Sequence, residues 1–257
     1  MRAGVLASIA LAALSVATAT QAELNSAQRV RAFAKLPDWS GLWEQYDIGP
    51  SGLPPPPTAA DLEQPPYNAA WAAKYRASVE AQAAQPPPLQ CLTGFPTLMV
   101  GSPLMFQAIV TPEETTLIFS QRETRHIYTD DSPHPDKDSL WPMPWGDSIG
   151  HWQGQVLVAD TVATSSPLFR IVPIKGGFTG GWAVFSDQAH YAERIRMADK
   201  DTLEDQITIE DPVALTHPWS LTRRFHRVPR MTRIIDGDCR GNDRNPVVDG
   251  KFVIAPP

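Results

Sequence analysis

The sequence of 257 residues predicts an all-β protein, folded as an antiparallel barrel. From Phe106 onward, short apolar runs follow one another, and turn-forming residues separate them without intervening helical periods. No βαβ unit of a nucleotide-binding fold can be fitted into this pattern. We therefore expect one domain over residues 23–257, with a Pro-rich excursion and one helix inserted at residues 49–90.

The first 22 residues have the layout of a secretory signal peptide. Arg2 precedes an apolar run from Val5 to Ala17, and small residues continue to Ala22. The run is shorter than the roughly 20 residues that cross a bilayer, so cleavage after Ala22, or alternatively after Ala19, is favoured over a retained anchor. The expected mature protein is periplasmic or secreted, and it is not attached to the membrane.

Charge and cysteine content narrow the choice of partner and compartment. The formal charge is −6 and the arginines are spread along the chain, which argues against nucleic acid as the partner. The two cysteines, Cys91 and Cys239, lie in the exported part, where oxidising conditions favour a disulfide between them. Two free buried thiols are the alternative. The oligomeric state is left open, and a homo-oligomer is compatible with the sequence.

Two helices are predicted in the first third of the chain. Apolar residues recur at spacings of three within residues 23–36, and at spacings of three or four from Asn68 to Gln82, before a run of prolines ends the second helix. Residues 49–66 include four consecutive prolines, which cannot hold regular hydrogen-bonded structure. This segment should be a surface excursion.

The rest of the chain predicts strands. They cover Phe106–Val110, Thr115–Ser120, Thr124–Thr129, Ile149–Thr161, Phe169–Val172, Trp182–Phe185, His190–Met197, Asp205–Glu210 and Trp219–His226. We interpret Ile149–Thr161 as one strand in which Gly154 forms a bend or a bulge.

The entry to the first strand resembles the opening of lipocalin-type barrels. Trp39-Ser40-Gly41-Leu42-Trp43 contains the Gly-x-Trp tripeptide of that opening. Together with the later series of strands, it favours a calycin-like (lipocalin-like) barrel, in which the Pro-rich loop and the second helix are inserted after the first strand.

A serine nucleophile and a metal site are both disfavoured. Gly146-Asp147-Ser148-Ile149-Gly150 has the letters of a nucleophile elbow, but an elbow requires a helix after the serine and here a strand follows. We interpret Ser148 as a turn residue at the mouth of the sheet. The six histidines form no zinc-ligand spacing, so neither a metal nor another cofactor is predicted. The alternative is a set of ligands assembled from distant strands.

One strand carries an ionisable group on a face that should be apolar. Alternation places Tyr191, Glu193, Ile195 and Met197 on one face, and His190, Arg194 and Arg196 on the other. The apolar face should point inward, so Glu193 must either have a raised pKa, which suits a general acid or base, or pair with a cation such as Arg125. The sequence does not choose between these two roles.

Further titratable groups are concentrated where the strand Thr124–Thr129 ends. Tyr128, Asp130 and His134 lie at this point, and loops of this kind often carry functional sites. Trp145 follows closely along the chain, and the eight tryptophans in all would suit a cavity for a flat aromatic ligand. Packing in the core accounts for tryptophans equally well.

Motifs spread over nearly the whole mature chain resemble a group of exported bacterial proteins, most of them uncharacterised. The matching segments are Trp39–Trp43, Cys91–Pro96, Arg125–Asp130, His134-Pro135, Ser148–Gly154, His190–Arg194, Asp211-Pro212, Pro218-Trp219 and Cys239 with Asn242–Asn245. The sequence departs from the group at Asp131, Asp147, Gln153 and Gln155, where Gly, His and acidic residues are usual. The resemblance implies a cofactor-independent lyase acting on lignin-derived phenolic compounds, and it implies no residue roles.

We therefore favour an enzyme, a cofactor-free acid/base lyase that holds a small aromatic molecule in the barrel mouth. Glu193 is the expected base or acid, with Tyr128 and His134 as proton-transfer partners and Asp130 as an orienting carboxylate. The expected substrate-binding residues are Arg125, Trp145, Trp152 and Tyr191. The alternative is a non-catalytic periplasmic protein that binds similar ligands.

Overall fold

The computed structural model describes residues 26–45, 65–84, 94–96, 99, 105–120, 123–165, 168–170, 182–229, 232–234, 247–248 and 251–252. The described elements are mostly strands, and nine of the strands close a β-barrel. The predicted signal peptide, the four consecutive prolines, Cys91 and Cys239 lie outside the described residues. The cleavage site and the disulfide therefore stay predictions.

The elements follow the predicted order. The helices are α1 (Ser26–Phe33) and α2 (Ala69–Ala84). The strands are β1 (Leu42–Gln45), β2 (Phe106–Val110), β3 (Glu114–Phe119), β4 (Thr124–Tyr128), β5 (Asp147–Gln153), β6 (Val156–Val162), β7 (Leu168–Arg170), β8 (Trp182–Val184), β9 (His190–Asp199), β10 (Thr202–Glu210), β11 (Trp219–Arg227), β12 (Val247–Val248) and β13 (Lys251–Phe252). Within the described ranges, neither α-helix has the length and apolar character needed to span a membrane.

The barrel is mixed rather than purely antiparallel. Its strands follow the order β2-β3-β4-β5-β6-β9-β10-β11-β1, and β1 pairs with β2 to close the ring. The neighbours run antiparallel except β4 and β5, which run parallel. Strand direction cannot alternate all the way round a closed ring of nine strands, so at least one pair must be parallel. The purely antiparallel prediction is therefore wrong at this junction.

The parallel junction has a local cause in the connection between its strands. The chain runs from Thr129 to Gly146, with one 3₁₀ helix at Lys137–Ser139, before β5 begins. A connection of about a dozen or more residues is what parallel pairing requires, because the chain must return to the end from which the first strand started.

The segment Ile149–Thr161, predicted as one strand, is a hairpin. Gln153 pairs with Val156, and Gly154 lies in the two-residue turn between them with φ of +65°. Tight hairpin turns require positive φ, which glycine adopts without steric cost. What we took for a bend is therefore a reversal of the chain.

Aromatic side chains fill both ends of the barrel interior. At one end, Trp39 and Trp152 pack edge to face with ring centroids 5.4 Å apart. At the other end, the ring of Phe95 packs edge to face on Tyr191 at 5.1 Å, and Phe185 lies 6.4 Å from the Tyr191 ring. The buried side chains of Arg125, Glu193 and Asp205 lie between these two aromatic layers.

Candidate functional site

Among the described residues, three side chains of the Arg, Asp and Glu types have 0% exposure and lie in the barrel interior: Arg125 on β4, Glu193 on β9 and Asp205 on β10. Successive side chains of a strand point to opposite faces of the sheet, so these three point inward while their neighbours in the sequence point outward. Glu193 pairs in register with Ile207, and Asp205 with Ile195, so the two carboxyl groups are diagonal neighbours on the inner face. We call these three residues the inner cluster.

Arg125 is held by side chains from three other strands of the barrel. Its Nη1 donates to Glu193 Oε1 at 2.9 Å and its Nη2 donates to Glu193 Oε2, so the pair is bidentate. Nη2 also donates to Thr161 Oγ1 at 3.0 Å and to Ser148 Oγ at 3.4 Å. The Phe95 ring covers the guanidinium, with its centroid 4.0 Å from Cζ. Of the two roles that the sequence left open for Glu193, the structure therefore shows the pairing with Arg125.

Asp205 lies beside this ion pair without a hydrogen-bond donor of its own. Neither carboxyl oxygen has a hydrogen-bond partner among the described residues. Burial, followed by the charge of Glu193, raises the pKa of Asp205 well above its usual value, and Arg125 offsets only part of this. The raised pKa means that Asp205 retains its proton at a pH where an ordinary aspartate has lost it, so the buried carboxyl group need not carry an unpaired charge.

Another buried carboxyl group, that of Asp211, has the hydrogen-bond donors that Asp205 lacks. Asp211 is 3% exposed, but it accepts hydrogen bonds from the Ser186 amide at 2.6 Å and the Ser186 hydroxyl at 2.8 Å. The amides of Val213 and Ala214 also donate to it, at 3.0 and 2.9 Å. Asp211 is therefore a structural anchor for the β10–β11 connection, whereas Asp205 has no such role.

Tyr191 borders the inner cluster on the same face of β9. The residue is fully buried, and its hydroxyl has no partner at hydrogen-bond geometry among the described residues. Burial raises its pKa above the usual tyrosine value, and the nearby Thr164 hydroxyl offsets only part of the effect. The phenol is therefore a neutral donor.

A second cluster lies on the outer face of the barrel. His134, in the β4–β5 connection, contacts Asp147 through Nδ1 and lies with Nε2 3.7 Å from Asp160 Oδ2. His190 contacts Asp160 through Nε2 and lies with Nδ1 3.7 Å from Glu210 Oε2. We call these five residues the outer cluster. They form a chain in which carboxylates and imidazoles alternate.

Two members of the outer cluster, His190 and Asp160, have shifted pKa values and lie in contact with solvent. The hydrogen bond and charge of Asp160 raise the pKa of His190, although burial opposes the shift. Burial raises the pKa of Asp160, but the hydrogen bond and charge of His190 outweigh it, so the net shift is downward. The side chains are 36% exposed for His190 and 43% for Asp160, so water screens these interactions.

The barrel wall divides the residues that we predicted for one site. Glu193, Arg125 and Tyr191 lie inside, whereas Tyr128 points outward and is 42% exposed. Burial, followed by the charges of Glu114, Asp147 and Asp130, raises the pKa of Tyr128. His134 belongs to the outer cluster.

Within the described residues, Asp130 and the two tryptophans make their contacts with residues outside the inner cluster. The carboxylate of Asp130 accepts a hydrogen bond from the Ser132 amide at 3.1 Å, as in a turn. Trp145 precedes β5, stacks on Phe119 at 5.0 Å and donates to Glu123 at 2.8 Å. Trp152 lies near the other end of β5, so the two tryptophans do not flank one small ligand.

Sequence reasoning missed Asp205, although the signal was present. Leu203, Asp205, Ile207 and Ile209 alternate on the inner face of β10. The predicted strand began at Asp205, which made it look like a polar strand end. Asp160, His190 and Glu210 were missed as a group because they come from three strands, and their proximity depends on register.

Ser148 is not arranged as a nucleophile. It lies on the inner face of β5, and a strand rather than a helix follows it. Its hydroxyl is 2.8 Å from Thr161 Oγ1 and receives the weak bond from Arg125. The prediction that Ser148 is a turn residue is wrong, since the residue with positive φ is Gly146, two positions earlier, and Ser148 lies within β5.

Known proteins provide no further assignment. No family model matches the sequence, and no curated protein or solved structure is significantly similar to it. Among the described residues, no group of three or more His, Cys, Asp and Glu side chains is arranged to hold a metal ion. The inner and outer clusters are therefore the features of the described structure that point to a function.

Proposed function

We propose that the protein is a cofactor-independent acid/base lyase, and that Glu193 and Asp205 perform its proton transfers on a small aromatic compound in the barrel interior. One observation carries the proposal: two fully buried carboxyl groups lie beside a single guanidinium that is bidentate on Glu193. Glu193 is suited to act as the base because its carboxylate is paired with the guanidinium, and Asp205 is suited to act as the acid because burial and the charge of Glu193 raise its pKa.

The pair allows a proton-balanced lyase reaction. Glu193 removes a proton from the substrate as a small fragment departs, and Asp205 returns a proton to the remaining part. A phenolic ring stabilises the charge that develops between the two steps. Proton exchange between the two carboxyl groups then restores the starting state, so neither an oxidant nor an added cofactor is needed.

The surroundings of the pair support an aromatic substrate. Phe95 lies over Arg125, and Tyr191 packs edge to face on Phe95 with a neutral hydroxyl. Aromatic rings favour each other in such offset and edge-on arrangements. The resemblance to exported proteins associated with lignin-derived phenolics points to the same class of substrate, and to a periplasmic or secreted enzyme.

We also propose that the barrel is calycin-like. A calycin-like barrel is supported by the position of Gly41, which has φ of +101° directly before β1, and by the burial of Trp43 within that strand. It is further supported by the way most strands neighbour their successors in the chain. The parallel β4–β5 pair is a departure from the simple meander.

A screen with matched variants tests the proposal. Purified mature protein is incubated with phenolic monomers and dimers without cofactor, and products are read by mass spectrometry. Loss of a fragment of fixed mass is expected. Glu193→Gln and Asp205→Asn should each lower turnover by about 10²-fold or more with little change in ligand affinity.

Glu204→Gln is the control, because Glu204 precedes Asp205 on β10 but bonds outward to Arg196 and Arg224. Turnover per folded molecule should be unchanged in this variant. If the two inner variants lose activity only in proportion to their loss of folded protein, the carboxyl pair is structural.

Non-catalytic binding is the second candidate, and one observation favours it. The charges of Arg125 and Glu193 are already paired with each other, as in a pocket whose polar groups serve only the fold. A binder returns every phenolic compound unchanged while its thermal midpoint rises with ligand concentration. Unchanged substrate together with such a rise would replace the lyase assignment.

A further inference from the structure

The inner cluster is sealed from solvent. Arg125, Glu193 and Asp205 have no exposed surface, and aromatic side chains fill the interior on both sides of them. A ligand can therefore reach these groups only if part of the barrel moves. The place that moves should be the junction with the fewest backbone bonds.

The β4–β5 junction has this property. A single residue pair, Tyr128 with Ile149, joins the two strands in parallel. Every other junction of the barrel is held by at least two paired residues. Parallel pairing is also slightly less stable per residue than antiparallel pairing. Backbone hydrogen bonds alone thus contribute little to holding β4 against β5.

Side chains bridge this junction from both sides of the wall. On the inside, Arg125 of β4 donates to Ser148 of β5 and to Thr161 of β6, and pairs with Glu193 of β9. On the outside, His134 contacts Asp147 at the start of β5 and faces Asp160 of β6. Arg125 therefore ties β4 to β5, β6 and β9 from inside the barrel, and His134 ties the segment that follows β4 to β5 from outside.

We propose that the β4–β5 junction is a gate through which a small aromatic ligand reaches the inner cluster, with Arg125 as its inner latch and His134 as its outer latch. As an entrance, the gate rests on the proposed function; as a local opening of the wall, it does not. Movement of β4 carries Arg125 away from Glu193 and leaves the two carboxyl groups together. Opening is thereby coupled to the arrangement of the proton-transfer pair.

Hydrogen exchange of the ligand-free protein tests the opening. His134→Gln removes the outer latch, and it should accelerate amide exchange in β5 by about tenfold while β9 and β10 keep their protection. His126→Gln is the matched control, because His126 contacts Glu114 across the antiparallel β3–β4 junction, which is paired over five residues. It should leave the exchange of β5 unchanged. Equal acceleration in both variants, or none in His134→Gln, overturns the gate.

A reversible lock tests the entrance and remains informative if His134→Gln folds poorly. Tyr128 and Ile149 are opposed across the junction, so the double variant Tyr128→Cys/Ile149→Cys can form a disulfide there. With phenol as the probe, NMR line broadening should show association at least about tenfold slower in the oxidised variant, restored by reductant. Wild type with and without the same reductant controls for the native cysteines.

The outcomes separate the two proposals. Phenol that enters the locked protein at the wild-type rate overturns the gate. In the other outcome, phenol does not bind wild type, but His134→Gln still accelerates amide exchange in β5 and the disulfide suppresses that acceleration. This result supports opening at the β4–β5 junction and counts against an aromatic substrate.

Discussion

The same four strands carry one polar cluster on each side of the barrel wall. Facing inward from β5, β6, β9 and β10 are Ser148, Thr161, Glu193 and Asp205; facing outward from the same strands are Asp147, Asp160, His190 and Glu210. Both sets contain carboxylates paired with cationic or titratable nitrogen. They differ in access to water, because the inner carboxyl groups are fully buried and the outer ones are between 16% and 54% exposed.

This difference decides what each ion pair is worth. Water screens the outer pairs, and exposed pairs contribute at most about 1 kcal/mol. Inside, removing charges from water costs roughly what their attraction returns, so the intact pair adds little net stability. Breaking it leaves one charge without a partner at full burial, which is much more costly. The degree of burial, rather than the presence of an ion pair, thus decides how much stability a substitution removes in each cluster.

The largest effect is expected for Arg125→Met. It leaves Glu193 buried without a cation beside Asp205, so the free energy of unfolding should fall by roughly 3–5 kcal/mol in urea denaturation. Arg194→Met is the control, since Arg194 is exposed on the same strand as Glu193, and its one hydrogen bond within the described part of the chain is to Gln153. It should change stability by less than about 0.5 kcal/mol. A loss below about 1 kcal/mol for Arg125→Met contradicts the buried pairing.

The pH dependence of stability provides the second contrast. The folded protein retains the Asp205 proton above the pH at which the unfolded chain releases it, because the pKa of Asp205 is raised. Its contribution is therefore complete below about pH 4 and declines by about 1.4 kcal/mol per pH unit until the folded pKa is passed. Asp205→Asn should remove this slope and Glu204→Gln should not. Identical slopes in wild type and Asp205→Asn would show that Asp205 is ionised.

Ser148→Ala is expected to have a smaller effect. It removes the 2.8 Å contact with Thr161 and the 3.4 Å bond from Arg125, while the Thr161–Arg125 bond remains. Stability should fall by about 1 kcal/mol, and any lyase activity should persist. Complete loss of activity in a folded Ser148→Ala protein would restore the nucleophile hypothesis.

The smallest effect is expected in the outer cluster, for His190→Gln. The raised pKa of His190 means that its stabilisation is present below the unfolded pKa of about 6.5 and is lost as pH rises through the folded pKa. Partial exposure limits this stabilisation to at most about 1 kcal/mol, and added salt should reduce it. Urea denaturation at pH 6 and pH 8, in low and high salt, measures both effects. A salt-independent loss would indicate a buried pair.

The local parts of the structure were predictable from the sequence. Alternation along β9 identified Tyr191, Glu193 and Ile195 as inward-facing, and the structure buries all three. The predicted helices and most strands agree with the observed elements to within a few residues. These features depend on residues close together in the chain. The Gly154 hairpin was missed because a glycine that bends a strand and a glycine that reverses it look alike in the sequence.

The tertiary structure alone decided which side chains meet. Side-chain direction along a strand follows from chain geometry, so the sequence determined that Glu193 faces inward and His190 outward. It could not determine that Arg125 pairs with Glu193 rather than with Asp205, because this depends on the register between β9 and β10 and on the position of β4 in the closed barrel. Nor could it show that nine strands close the barrel and so require a parallel pair. Register and closure are set by many weak contacts between distant segments, which no single stretch of sequence contains.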